Sequence, residues 1–123
     1  MQHKEVAEVL FETLQVIRAE LDPEMQLQTL LTLLIVDMEP GITMTEALKK
    51  IGISQAAMSR NAAILGRLYS KGEPGLDMIA ATEDPMERRR KVMRMTPKGE
   101  KLLAELAARF THVVARVERR KST

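Results

Sequence analysis

Residues 43–70 read TMTEALKKIGISQAAMSRNAAILGRLYS, and the fold turns on them. Thr43 followed three positions later by Glu46 is a capping box: the threonine hydroxyl can accept from the residue-46 amide while the glutamate reaches back. The short helix it starts would turn Ala47, Leu48 and Ile51 inward and Lys49 and Lys50 outward. Gly52 stops that helix, and Ser54 is a good N-cap for a second one. The second helix carries Met58, Ala62, Leu65 and Leu68 or Tyr69 on one side. Helix, a short turn with glycine, then helix is the layout of a helix-turn-helix.

On the N-terminal side, Val6, Leu10, Leu14, Ile17 and Leu21 recur every three or four residues, which predicts an amphipathic helix over 3–21. Asp22-Pro23 breaks it. Residues 24–38 are apolar over most of a helical circumference, so this helix should be the central buried one, ended by Glu39-Pro40-Gly41. On the C-terminal side, residues 71–75 form a loop. Residues 76–82 and 90–96 then read as two strands whose connection is too long for a tight turn, so its tip should project. Thr96-Pro97 opens a last helix, with threonine at N-cap and proline at the first helical position. Its stripe of Leu102, Leu103, Leu106, Phe110, Val113, Val114 and Val117 belongs to a helix longer than so small a domain is wide, so its end should overshoot its own core.

The chain has 123 residues, 45% of them hydrophobic, with no cysteine and a formal charge of +2. Those figures fit one domain, 1–123, with a real core, and disfavour disorder. They exclude disulfides, thiolate chemistry and cysteine-based metal sites. Met1–Glu5 lacks the features of a signal peptide, and the apolar run Leu30–Val36 is too short to span a bilayer, so a cytoplasmic protein without membrane attachment is expected. The two histidines, His3 and His112, belong to no recognisable catalytic or metal-binding set; neither catalytic residues nor a metal or other cofactor is expected.

The near-neutral total hides an asymmetry: residues 1–47 carry a net −7 and residues 48–123 a net +9. Such polarity pairs an acidic part with a basic surface suited to a polyanion. In a helix-turn-helix the second helix enters the DNA major groove. With Met58, Ala62 and Leu65 inward, the outward residues are Gln55, Ala56, Ser59, Arg60, Ala63 and Arg67, with Ser54 beside them as cap or phosphate donor. Gln55 can pair with adenine and Arg60 with guanine, and the alanines can meet a thymine methyl. Arg88, Arg89, Arg90 and Lys91 sit at the hairpin, where an arginine can enter a narrow minor groove.

Gly52-Ile53-Ser54-Gln55, the helix after it, Asp84-Pro85-Met86-Glu87-Arg88-Arg89 and Met93-Arg94-Met95-Thr96-Pro97-Lys98-Gly99 together resemble the winged-helix regulators of the MarR family. The resemblance implies a mostly α fold with a small β-hairpin wing spanning, with the helix-turn-helix, residues 43–96. It also implies that Arg89, oriented by Glu87, reaches the minor groove. It implies a homodimer through the terminal helices, 3–21 and 97–119, and the apolar faces of those helices agree. Val6, Leu10, Leu14, Ile17, Phe110, Val113, Val114 and Val117 are the candidate dimer contacts. The function expected is a sequence-specific regulator of transcription, a repressor bound to double-stranded DNA at a pseudo-palindromic site. The alternative is a winged-helix assembly or replication and partition module gripping protein or nonspecific DNA. A small-molecule effector is left open.

Overall fold

The computed structural model describes residues 1–67 and 72–121. Leu68 and Tyr69, expected on the inner side of the second helix, and Lys71 of the loop lie outside the described residues. The elements run α1 (His3–Glu20), α2 (Leu27–Met38), β1 (Ile42–Thr43), α3 (Met44–Ile51), α4 (Gln55–Leu65), β2 (Ile79–Glu83), β3 (Lys91–Met95) and α5 (Pro97–Lys121). Packing groups them into two compact units, residues 26–100 and residues 1–25 with 101–123.

In the unit of residues 26–100, α2 packs on α3 and α4, and a three-stranded antiparallel sheet in the order β1-β3-β2 completes the core. Leu33 and Val36 of α2, Met58 and Leu65 of α4, and Ile79 and Met93 of the sheet are essentially inaccessible to solvent. α2 begins three residues later than its apolar pattern suggests. The Asp22 carboxylate accepts from the Glu24 amide at 2.8 Å and the Asp22 carbonyl accepts from the Met25 amide, so Pro23 sits in a turn rather than a first helical turn. Nor is α2 buried all round: Leu27 and Met38 are exposed, while Thr29 and Thr32 lie in the core.

The capping box forms as read: the Thr43 hydroxyl accepts from the Glu46 amide at 3.0 Å, and the Glu46 carboxylate accepts from the Thr43 hydroxyl at 2.8 Å and, at 3.4 Å, from the Thr43 amide. Gly52 ends α3 with φ +86°, a left-handed conformation that costs glycine nothing. Ser54 caps α4 through the Ala57 amide at 3.1 Å.

Helix α4 ends at Leu65, before the residues expected to extend it. Leu76, Asp77 and Met78, read as strand, instead donate their amides to the carbonyls of Ile64, Gly66 and Leu65 and so satisfy its last turn. The first hairpin strand therefore starts only at Ile79. The second stops at Met95, because Thr96 is committed to α5: its hydroxyl accepts from the Gly99 amide at 3.0 Å and donates to the Asp77 carbonyl at 2.7 Å. The third strand, β1, was not expected. It pairs Ile42 with Met93 and Thr43 with Val92.

In the other unit, α1 and α5 are joined by a small core of Val9, Val113 and Val117, with Val114 against it. Ion pairs Glu12–Arg116 and Glu8–Arg120 flank this core, tying acidic residues of the N-terminal half to basic ones of the C-terminal half. Ile17, Val113 and Val117 are thus buried within one chain, whereas Val6, Leu10, Leu14 and Phe110 are 41–49% exposed. Phe11, next to Leu10, is 66% exposed.

Candidate nucleic-acid interface

The outer face of α4 is assembled by local rules. Ser54 fixes where the helix begins, no acidic residue occupies its first turn, and Met58, Ala62 and Leu65 anchor the inner side. The helix N-terminus is therefore free to face an anion. Gln55, Ala56, Ser59 and Arg60 are exposed, and Ala63 is half-buried. Arg67, also exposed, follows the helix rather than lying on it.

Between α3, α4 and the sheet lies a concavity of about 700 Å³. Gln55, Ser59, Ala63 and Arg67 line it from the helix side, and Arg89, Arg90 and Lys91 from the hairpin side. Seven of the residues singled out in the sequence thus converge on one groove. Ser54, Ala56, Arg60 and Arg88 do not line it: Ser54 is engaged as a cap, and Ala56, Arg60 and Arg88 are exposed nearby in the chain.

The hairpin is built differently from the ion pair inferred for it. Strands β2 and β3 pair from Ile79↔Met95 to Glu83↔Lys91, leaving residues 84–90 as the connection. Across its mouth the Asp84 amide donates to the Arg90 carbonyl at 2.9 Å, and the Arg90 guanidinium donates to the Asp84 carboxylate at 2.8 Å. Glu87 lies 3.5 Å from the same guanidinium. Two successive turns, Glu87 amide to Asp84 carbonyl and Arg90 amide to Glu87 carbonyl, bring residues 84, 87 and 90 to one side. Glu87 therefore reaches Arg90, three residues on, and Arg89 is directed to the groove instead.

Asp84, which opens the hairpin motif but was given no role of its own, is almost fully buried. Its carboxyl is held below the usual aspartate range, chiefly by the hydrogen bond from the Met86 amide and further by Arg90, against the opposing effect of burial. Glu46 is likewise shifted down, first by its hydrogen bonds from Thr43 and then by Lys50 and Arg90. The signal for Asp84 was present: an aspartate opening a loop that holds a proline and an arginine is a turn-forming residue before it is a charge.

Asn61 was also missed. It lies three residues after Met58 and four before Leu65, the inward spacing of α4, and is 1% exposed. Its side-chain oxygen accepts from the Thr29 hydroxyl at 2.9 Å, and its amide nitrogen donates to Thr32 at 3.3 Å.

A helix-turn-helix followed by a basic hairpin packed on the same core defines a winged helix. Solved structures agree, and the fold is that of the MarR-like regulators. Over 90% of this chain and 70% of the other, it superposes with a TM-score of 0.75 and 17% identity on RV1404 from Mycobacterium tuberculosis. Against a MarR-like transcriptional regulator from Thermotoga maritima the TM-score is 0.65 at 18% identity, covering 97% of this chain and 82% of that one. MarR itself gives 0.59 at 22% identity over 90% and 78% of the two chains. No protein-family model matches the sequence, and no curated protein matches it. Among the described residues, no helix is long and apolar enough to cross a membrane.

Proposed function

We propose that the chain is a sequence-specific, double-stranded-DNA-binding regulator of transcription that represses by occupying promoter DNA. One observation carries the reading: Gln55, Ser59 and Ala63 of α4 and Arg89, Arg90 and Lys91 of the hairpin line a single groove. In this reading α4 enters the major groove, Gln55, Ser59 and Arg60 meet base edges, and Arg89 with Arg88 and Lys91 follows the backbone into the adjacent minor groove. Arg90 holds the hairpin's shape while keeping part of its charge exposed.

The active species is a homodimer. Val6, Leu10 and Leu14 recur every four residues on one side of α1, and Phe110 adds exposed apolar surface on α5. A two-fold axis through such a face buries it in both copies at once. Two recognition helices would then address half-sites about 34 Å apart, one DNA turn.

Selection from a random duplex pool tests the proposal. A regulator enriches an inverted repeat, and Arg60→Ala and Arg89→Ala both weaken binding to it. A pool that yields no enriched sequence, with equal affinity for all duplexes, would instead favour the assembly module. For the dimer, Leu10→Glu with Leu14→Glu should convert the sedimenting species from two chains to one and abolish cooperative occupancy of the two half-sites.

A further inference from the structure

Where α2 meets α4, the core of residues 26–100 holds three polar side chains. Thr29, Thr32 and Asn61, all 1% exposed or less, form a continuous chain of hydrogen bonds. Thr29 donates to the Asn61 oxygen, the Asn61 amide donates to Thr32, and Thr32 donates to the Gln28 carbonyl at 2.8 Å. Asn61 sits at the middle of the recognition helix, and both its partners are on the helix behind it.

Helix α4 reads QAAMSRNAAIL. Ala56, Ala57, Ala62 and Ala63 place methyl groups on its outer side and its inner side alike, so Met58 and Leu65 are the only large apolar side chains fully buried along it, and they select the inner face without fixing its exact rotation. Hydrogen bonds are directional where apolar contact is not, and a buried amide that loses its partners has no water to replace them. Buried polar groups of this kind can set register in other helical assemblies.

We infer that Asn61 is a positioning residue: through Thr29 and Thr32 it fixes the rotation of α4 and so determines which side chains read bases. The inference rests on the DNA-binding reading above. At a radius of about 5 Å, a rotation of roughly 20° moves the outer part of a side chain by about 2 Å, enough to break a base-edge hydrogen bond. Asn61 touches no DNA in this account and acts on sequence preference rather than on charge.

The test compares two variants of the full chain with wild type, by selection from a random duplex pool and by thermal unfolding. The triple variant Thr29→Val, Thr32→Val, Asn61→Leu replaces the network by apolar side chains of similar shape. It should stay folded, keep its affinity for scrambled duplex within about twofold, and lose about tenfold or more of its preference for the selected site. The double variant Thr29→Ser, Thr32→Ser keeps the hydroxyls and loses the methyls. It should melt at a lower temperature with its preference unchanged. If the triple variant does not melt cooperatively, Thr29→Val, which deletes one bond to Asn61, takes its place with the same direction expected. An unchanged motif in the network-deleting variant, or a changed one in the serine variant, overturns the inference while leaving DNA binding intact. A wild-type chain that enriches nothing overturns both.

Discussion

Two glycines show how differently one residue type can be constrained. At Gly52 a Cβ would meet nothing within 4 Å, yet φ is +86°, so Gly52→Ala should cost about 1–3 kcal/mol through backbone strain alone. At Gly75 the Cβ would lie 2.1 Å from the Gly66 carbonyl oxygen, so any side chain forces the backbone after α4 apart. Urea denaturation should rank Gly75→Ala as the more damaging of the two. Arg60 is governed by chemistry rather than packing. Arg60→Ala should leave the urea midpoint nearly unchanged and cost about 1–3 kcal/mol of discrimination at one base pair per half-site, read by fluorescence anisotropy on single-base-substituted duplexes.

At the scale of elements, the hairpin connection carries a pH dependence of known sign. Because the folded state lowers the Asp84 pKa, its contribution to stability is fully present above the unfolded value of about 3.9. It is lost as pH falls from there through the folded value. The difference in melting temperature between wild type and Asp84→Asn should therefore be flat above about pH 5 and shrink below about pH 4. Helix α1 was legible in the sequence from its apolar spacing, and α3 and α5 because caps and apolar spacing agree locally. Strand β1 was not, since two residues carry no periodicity and Ile42 is strand only because Met93 lies beside it. The start of α2 was misread because Asp22-Pro23 suits a turn as well as a helix start. Much the same limit applies to the site. The outward side chains of α4 follow from counting, but the roles of Asn61 and Asp84 depend on partners that are 32 and 6 residues away in the chain.

For the molecule as a whole, charge pairing redistributes what the sequence shows as two polarised halves. Glu8 and Glu12 are matched to Arg120 and Arg116, and Glu39 to Lys50, so the basic side chains lining the groove come from the segment after α4 and from the hairpin. DNA affinity should fall linearly on a log-log plot against salt, with a slope near −0.9 per phosphate neutralised. Arg89→Ala should reduce the magnitude of that slope by about one. The pairing of β1 with β3 has a consequence of another kind. Ile42 and Met93 are 51 positions apart, so closing this contact costs less entropy once the helix-turn-helix and hairpin between them have shortened the path. It is expected on the late side of the folding barrier. Ile42→Val should accordingly accelerate unfolding while leaving the refolding rate nearly untouched, making a two-residue strand the latch that sets how long the molecule stays folded.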